Sequence, residues 1–223
     1  MHQWFVYKEF DEASKAAANF IAGKIETSLE KNDICHVILP GGNTPASCLS
    51  YLAEKPLAWN KVHWYPGDER CYPAGHIDRN DVMLKKNLWS HLTNTNVHII
   101  PAELGAEEAA RIYRDIVSPV DNFDIAFLGM GEDGHTASLF PNNEALQDAR
   151  SVIPVHDSPK APDDRVSLSI NTLKKADCRI VLASGSAKAD IITRIKNGES
   201  LPINCLGDIN WYVDDAAVAE ANT

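Results

Sequence analysis

Phe-Asp-Ile-Ala-Phe-Leu-Gly-Met-Gly-Glu-Asp-Gly-His-Thr-Ala-Ser-Leu-Phe-Pro spans residues 123–141 of the chain. Its first six residues form a short apolar run with aromatic and β-branched members, which predicts a buried strand. Three glycines follow and allow the backbone to turn sharply and to approach a ligand closely. Ligands of open α/β sheets bind beyond the carboxyl ends of the strands. We therefore predict that Asp133 and His135 project into a ligand crevice.

Predicted strands and helices alternate on both sides of this stretch. The other predicted strands cover residues 4–7, 34–39, 62–65, 97–100, 151–155, 165–170 and 179–183, with a last short strand ending at Val213. The predicted helices cover residues 11–30, 44–53, 80–92, 105–117 and 188–196, and the tail 214–223 is either a terminal helix or frayed. Such alternation indicates an α/β fold with parallel strands and right-handed crossovers. No internal repeat or linker is visible, so we expect one domain over residues 1–223.

Composition and charge narrow the class of protein. A chain of 223 residues with 44% hydrophobic residues is long enough to build one α/β domain with a large core. The net charge of −10 opposes non-specific binding to nucleic acid or to an anionic membrane. An anionic substrate would therefore need a locally basic pocket.

The cysteines and the N-terminal residues indicate a cytoplasmic protein. The five cysteines are scattered and contain no Cys-x-x-Cys pair, which favours reduced thiols over a disulfide framework or a zinc site. The N-terminal residues carry no basic segment followed by an apolar one, so no signal peptide is expected. No apolar run approaches the length of about 18 residues that a transmembrane helix needs.

A possible phosphate-binding loop follows the predicted strand 34–39. Gly41, Gly42, Asn43 and Thr44 precede a helix whose predicted cap is Thr44 and whose first residue is Pro45. Backbone amides of such a loop, together with a helix N-terminus, suit a phosphate group. The loop lacks the Gly-Lys-Ser/Thr of a Walker A motif. Taken alone, such a loop is more often only a turn before a capped helix.

Four charged positions are candidate substrate-binding residues. Asp68 and Arg70 follow the predicted strand 62–65, where a solvated loop is the alternative interpretation. A guanidinium such as that of Arg70 binds oxyanions in a bidentate manner. Arg165 opens an apolar strand and Lys188 begins a helix, and each alone is typical of a surface charge. Together they supply the basic groups that a net-acidic protein would need around a phosphate.

Two other interpretations of the central stretch are weaker. Its Gly-x-Gly-x-x-Gly pattern matches the dinucleotide fingerprint, but it lies in mid-chain and Pro141 leaves under two turns for the required helix. Asp133 and His135 are not accompanied by further residues with metal-ligand spacing. We expect neither NAD nor a metal. The histidine has an ordinary pKa of about 6.5 and can exchange a proton near neutral pH, although a loop histidine bonded to backbone is the alternative.

Several separated motifs in order resemble the 6-phosphogluconolactonases, which share a superfamily with glucosamine-6-phosphate deaminases and ribose-5-phosphate isomerases. Gly-x-Gly-x-Asp-Gly-His at 129–135 is shared with the deaminases, whereas Ala-Ser-Leu-Phe-Pro at 137–141 and Asp-Glu-Arg at 68–70 are lactonase-like. The resemblance extends over nearly the whole chain, through Arg-Val-Ser-Leu at 165–168, Gly-Ser-Ala-Lys at 185–188 and residues 211–217.

The resemblance implies a doubly wound three-layer α/β sandwich with a mostly parallel central sheet. It also implies hydrolysis of 6-phospho-D-glucono-1,5-lactone to 6-phosphogluconate in the oxidative pentose phosphate pathway, without cofactor or metal. His135 would take a proton from the attacking water, and Asp133 would orient the imidazole or bind a sugar hydroxyl. Arg70 or a loop amide would stabilise the oxyanion. The 41–44 loop would hold the phosphate with Arg165 and Lys188, and we expect a monomer or weak homo-oligomer.

Two alternatives remain open at this point. An amino-sugar-phosphate deaminase-isomerase would use Asp68 as a proton shuttle, and a non-catalytic sensor would bind the sugar phosphate without turnover. The chain also departs from the family pattern at Asn43 and Arg79, where serine is frequent. Asn43 retains a side chain that can cap a helix. Arg79, near the loop of His76, is expected either to tune substrate affinity or to face solvent.

Overall fold

The structure, a computed structural model, describes residues 2–219, so residues 220–223 of the predicted tail lie outside the description. Its strands are β1 (Gln3–Tyr7), β2 (Cys35–Leu39), β3 (Val62–Pro66), β4 (Asp68–Arg70), β5 (Asn96–Val97), β6 (Ile125–Leu128), β7 (Val152–Val155), β8 (Arg165–Leu168), β9 (Cys178–Ala183) and β10 (Asn210–Asp214). Its α-helices are α1 (Phe10–Leu29), α2 (Thr44–Ala53), α3 (Asn80–Asn87), α4 (Ala106–Val117), α5 (Ile170–Lys174), α6 (Ala189–Lys196) and α7 (Asp215–Val218). None of the helices within residues 2–219 has the length and apolarity needed to cross a membrane.

Seven parallel strands form the central sheet, in the order β1-β10-β9-β6-β2-β3-β5. From β2 the chain adds β3 and β5 on one side and later places β6 on the other side. The winding direction therefore changes between β2 and β6. Ligands of open α/β sheets bind at such a switch point, outside the carboxyl ends of the strands. The topology thus brings the loops that follow β2 and β6 side by side.

Helices cover both faces of this sheet because its strands are apolar on both sides. Along β2, Val37 and Leu39 pack in one core cluster with buried residues of α1 and α2, whereas Ile38 packs in the other with residues of α4 and α6. In β6, Ile125 and Phe127 belong to the same cluster as Val37 and Leu39. Ala126 and Leu128 belong to the cluster that contains Ile38. This period-two alternation buries both faces. It confirms the predicted doubly wound three-layer sandwich with a mostly parallel central sheet.

A second, three-stranded antiparallel sheet of order β4-β8-β7 packs against α4. The sequence interpretation of residues 68–70 as a loop was therefore wrong, as was the expectation of parallel crossovers for 151–155 and 165–170. Residues 156–164, which join β7 to β8, contain no helix. A parallel crossover needs a dozen or more residues, usually including a helix, whereas a short helix-free link joins antiparallel strands. The Pro-rich link was thus the available signal for this sheet.

Candidate active site

The carboxyl ends of β2, β3, β6 and β9, four adjacent strands at the centre of the sheet, surround a cavity of about 210 Å³. Most of the residues predicted to form the site line this cavity: Gly41, Gly42, Asn43, Thr44, Asp68, Arg70, His135, Arg165 and Lys188. Asp133 does not line it but lies behind His135, where it borders a second, more open groove. The folded chain thus collects side chains from positions 41 to 188 at one edge of the sheet.

The loop after β6 owes its shape to two of its glycines. The amide of Gly131 donates to the carbonyl of His135 at 2.9 Å, and the amide of Gly134 donates to the carbonyl of Gly131 at 3.1 Å. Gly134 has a φ of +81°, which an L side chain rarely adopts. A Cβ at position 131 would overlap Nδ1 and Cε1 of His135 and would lie 2.5 Å from Oδ1 of Asp133. Gly131 therefore provides the space in which these two side chains meet.

His135 and Asp133 form a hydrogen-bonded pair. Nδ1 of His135 donates to Oδ1 of Asp133 at 2.6 Å, and the backbone amide of His135 donates to the same oxygen at 3.2 Å. The imidazole also packs against Phe140, with ring centroids 4.5 Å apart. Because Nδ1 is occupied, Nε2 is the ring nitrogen available to a ligand in the cavity. The pair therefore holds the imidazole in one tautomer and one orientation.

The surroundings of this pair keep the imidazole neutral. Burial is the largest cause of a lowered His135 pKa, and it outweighs the nearby Asp133 carboxylate, which acts to raise that pKa. Burial acts to raise the pKa of Asp133, but the charge and the hydrogen bonds of His135 outweigh it, so that pKa is lowered. At neutral pH the site therefore holds a neutral imidazole beside an ionised carboxylate, the arrangement that a general base requires.

The loop after β2 presents a helix N-terminus that no side chain caps. Helix α2 begins at Thr44, and Asn43 occupies the cap position without a side-chain hydrogen bond to the helix. The prediction that Thr44 is the cap was wrong by one residue. Gly42 has a φ of +90°, and a Cβ on Gly41 would overlap the side-chain amide of Asn80. Because the first backbone amides of a helix have no partner within it, they are available to an anion in the cavity.

Two arginines face each other on adjacent antiparallel strands. Arg70 of β4 is the direct cross-strand partner of Arg165 of β8. Like charges at such positions destabilise a sheet. Burial is the largest cause of the lowered Arg165 pKa; Asp68 acts in the opposite direction, and the charge of Arg70 adds to the lowering. Neither arginine forms an ion pair within residues 2–219, so their positive charge is available to an anionic ligand.

Backbone carbonyls hold these cations in place. Nη1 of Arg70 donates to the carbonyl of Asp78 at 2.6 Å, and its Nε is buried without a hydrogen-bond partner in the part of the chain that is described. Nη2 of Arg165 donates to the carbonyl of Lys160 at 2.8 Å. Nζ of Lys188 donates to the carbonyl of Met130 at 2.9 Å, and burial lowers the pKa of this lysine. Carbonyls orient these groups without neutralising their charge.

Comparisons with known proteins show which family the chain resembles. A family model described as glucosamine-6-phosphate isomerases/6-phosphogluconolactonase matches residues 8–211. The chain belongs to this family. A 6-phosphogluconolactonase of Mycobacterium leprae is 31% identical over 92% of this chain and 92% of its own. A 6-phosphogluconolactonase crystal structure from Thermotoga maritima has a TM-score of 0.89 and 29% identity, covering 96% of this chain and 100% of that chain.

This member of the glucosamine-6-phosphate isomerase/6-phosphogluconolactonase family holds Asp68 by both carboxylate oxygens. Nδ2 of Asn80 donates to Oδ1 at 3.0 Å, and Oγ of Ser138 donates to Oδ2 at 2.5 Å. Both donors are buried. Neither was among the residues predicted to form the site. Asn80 opens α3, and its position at the end of a loop was the only local signal.

The other carboxylate of the Asp-Glu-Arg segment, Glu69, is structural. It is fully buried, and its side chain accepts hydrogen bonds from the backbone amides of Arg70, Asn80 and Asp81, each at 2.8 Å. It therefore ties the first turn of α3 to β4. Burial raises the pKa of Glu69 to about 7, and the three amides act in the opposite direction.

Arg79 does not face solvent, so that expectation was wrong; it is not among the residues that line the cavity, and an effect on substrate affinity stays a prediction. Only 1% of its side chain is exposed. Its guanidinium donates to Asp81 and Glu103, each at 2.8 Å, and to the carbonyl of Ile100 at 3.1 Å. A buried arginine is stable only with such partners. Arg79 thus fastens the loop that precedes α3 to the segment after β5.

His76, whose role the sequence left open, stacks on Tyr72 with ring centroids 4.1 Å apart. Its Nδ1 accepts a hydrogen bond from the backbone amide of Asp78 at 3.3 Å. It is not among the residues that line the cavity. The histidine therefore contributes to the shape of the loop between Arg70 and Asn80 and not to the site itself.

Proposed function

We propose that this protein hydrolyses 6-phospho-D-glucono-1,5-lactone to 6-phosphogluconate, with His135 as the general base. Family relatives about 30% identical over more than 90% of the chain are named 6-phosphogluconolactonase. The observation that carries the proposal is the content of one cavity: a neutral imidazole lies together with Arg70, Arg165 and Lys188, cations that form no ion pair within residues 2–219. Such a cavity suits a substrate that carries an ester at one end and an anionic group at the other.

In this reaction His135 and Asp133 each have one role. Nε2 of His135 accepts a proton from water as the water oxygen bonds to C1 of the lactone. Asp133 holds the imidazole and stabilises its cationic form. When the tetrahedral intermediate collapses, the bond between C1 and the ring oxygen breaks and the proton passes from the imidazolium to the departing alkoxide. A positioned base of this kind contributes about 10²–10⁴-fold to the rate.

The charged groups of the cavity divide between the two ends of the substrate. Arg70 is assigned to the oxygen on which charge develops, because its buried Nε has no partner in the described chain. The amides of Gly41–Thr44, Arg165 and Lys188 are assigned to the phosphate. Binding energy from that remote group positions the lactone carbonyl against His135.

Asp68 is assigned to a sugar hydroxyl. Its two oxygens already accept hydrogen bonds from Asn80 and Ser138, so the carboxylate is held in place as an acceptor. This geometry favours hydroxyl binding over the proton shuttling that a deaminase-isomerase would need. Because the family description covers both activities, an assay for ammonia from glucosamine 6-phosphate separates them. We expect no ammonia.

The deciding experiment compares decay of the lactone with and without protein, because the lactone also opens spontaneously in water. We expect the rate to rise in proportion to protein concentration. No acceleration at any concentration would remove the lactonase proposal. Binding of 6-phosphogluconate without acceleration would instead support a non-catalytic sensor.

The pH dependence of turnover reports the state of His135. Since its pKa is lowered, the neutral base persists to lower pH than for an ordinary histidine. We expect kcat at saturating lactone, corrected for spontaneous hydrolysis, to fall only below about pH 6.5. Burial lowers the pKa of His135 and the charge of Asp133 acts to raise it, so Asp133→Asn should lower that pKa further. We expect this variant to have a smaller kcat, which falls only at a still lower pH. If kcat of the wild-type protein already fell at a pH above about 6.5, the ordinary pKa of histidine, the assignment of His135 as the base would be contradicted.

Lys188→Ala is expected to raise KM by about tenfold or more and to leave kcat nearly unchanged, because the lysine contacts the phosphate in ground and transition states alike. Steady-state kinetics measures this split. Lys196→Ala, which removes a lysine from the last turn of α6, is the matched control and should leave KM unaltered. A fall in kcat at constant KM for Lys188→Ala would place the lysine at the reacting carbon instead.

A further inference from the structure

The link between β7 and β8, residues 156–164, is built around the buried Arg165. The guanidinium of Arg165 donates to the carbonyls of Lys160, Ala161 and Pro162 at 2.8, 3.2 and 3.3 Å. On the other side of the turn, Oγ of the buried Ser158 donates to the carbonyl of Lys160 at 2.9 Å. The backbone of Lys160 is thus held from both sides by groups that are themselves buried.

The side chain of Lys160 is exposed but lines the cavity that contains His135 and Lys188. Its ammonium group makes no hydrogen bond or ion pair in the described part of the chain. Burial is the main cause of the lowered pKa values of His135 and Lys188, and the charge of Lys160 acts in the same direction on both. The ammonium therefore lies near both groups.

Four cations line this cavity, Arg70, Lys160, Arg165 and Lys188, against one carboxylate, that of Asp68, and none of the four forms an ion pair in the described part of the chain. By contrast, Arg111, Arg150 and Arg194 on other surfaces each have an acidic partner within 2.7 Å. A lysine carries a compact point charge on a flexible stem, and such a charge is a common ligand of phosphate. A phosphate dianion beside Lys188 would also need more than one cation to balance it.

We propose that Lys160 is a phosphate-binding residue, presented by an Arg165-anchored strap that comprises residues 158–164. Lys160 adds a cation to the phosphate ligands that the amides of Gly41–Thr44, Arg165 and Lys188 supply in the same cavity. Because the same arginine holds the strap and lines the cavity, ligand binding at Arg165 also fixes the position of Lys160. This inference rests on the proposed function and deepens it by assigning a further ligand to the phosphate.

The test uses the full chain and three variants. Lys160→Met removes the charge and keeps the length of the stem, Lys160→Arg restores a cation, and Lys175→Met removes an exposed lysine that precedes β9 at the opposite edge of the sheet. For Lys160→Met we expect KM for the lactone and the calorimetric Kd of 6-phosphogluconate to rise about tenfold, the effect of one charge-assisted hydrogen bond. The inhibition constant of inorganic phosphate should rise by a similar factor, while kcat stays unchanged.

Arginine is expected to restore most of the affinity, and Lys175→Met should behave as the wild type. An unchanged KM and Kd in Lys160→Met would overturn the inference, as would a loss of kcat at constant KM. A raised Kd of 6-phosphogluconate with an unchanged inhibition constant of phosphate would also overturn it, since Lys160 would then contact the sugar end. If the wild-type protein neither binds 6-phosphogluconate nor accelerates lactone decay, the proposed function itself fails.

Discussion

Replacing His135 with alanine is expected to lower kcat for lactone hydrolysis by about 10²–10⁴-fold. His135 is the only histidine that lines the cavity within the described residues, and its Nδ1 is already committed to Asp133. Without the imidazole, water must attack the carbonyl with no positioned base. The phosphate contacts are unaffected, so the affinity for 6-phosphogluconate should change little.

Two measurements separate loss of the base from loss of the fold. Calorimetric binding of 6-phosphogluconate should persist in His135→Ala while turnover falls towards the spontaneous rate. His91→Ala serves as the control, because His91 is exposed on a 3-10 turn and its ring bonds to the backbone carbonyl of Lys86, away from the cavity lining. Full turnover by His135→Ala would eliminate the proposed mechanism.

Gly131→Ala is expected to lower kcat by about 10²-fold or more, although it adds only a single methyl group. The new Cβ would occupy the position of the His135 ring and would crowd Oδ1 of Asp133. Gly131 is not among the glycines with positive φ, so the backbone itself tolerates alanine. The expected loss is therefore steric and falls on the hydrogen-bonded pair.

Gly129→Ala provides a matched control in the same loop. A Cβ at that position would meet the carbonyl oxygen of Gly41 and Cβ of Pro40 at 3.8 Å, which is ordinary van der Waals contact. We expect this variant to keep kcat within about threefold of the wild type. Thermal unfolding should show both variants folded, and wild-type kcat in Gly131→Ala would show that the loop relieves the crowding without displacing the base.

The net charge of the protein and the charge of its cavity act in opposite directions on an anionic substrate. The net charge of −10 repels anions at long range, whereas Arg70, Arg165 and Lys188 attract them within the cavity. Unpaired cations in a cleft raise the local concentration of an anionic ligand, and salt screens this effect over about 8–10 Å. Affinity for the phosphorylated substrate is therefore expected to fall as ionic strength rises.

Much of the fold was predictable from local pattern. The apolar runs that became β2, β3, β6 and β9 are short, buried and bounded by turn residues. The glycines of 129–134 indicated a tight loop after β6. Since ligands bind at the carboxyl ends of parallel strands, the candidate residues after those strands were predicted to lie together, and the cavity contains nearly all of them.

The roles of individual charged residues were less predictable. Glu69 and Arg79 lie in a charged stretch that is typical of a solvated loop. Both side chains are nevertheless buried and form hydrogen bonds with other segments of the chain. Lys160 lies in a polar, Pro-rich link that indicated only exposure, and Arg165 turns that link towards the cavity. For Glu69 and Arg79 the structure adds partners 11 and 21 positions away, and for Lys160 it shows an arginine five positions on that turns the link back, so the local sequence did not indicate these roles.

Strand periodicity and turn chemistry act over a few residues, so local sequence was sufficient to predict the parallel strands, the glycine loop and the side chains available for catalysis. The folded chain was needed to show the second, antiparallel sheet, the position of Arg70 opposite Arg165 and the position of Asp133 behind the cavity. Those facts depend on strand register between residues that are far apart in the chain. Register is set by packing and by hydrogen bonds across the sheet, which no single stretch of sequence specifies.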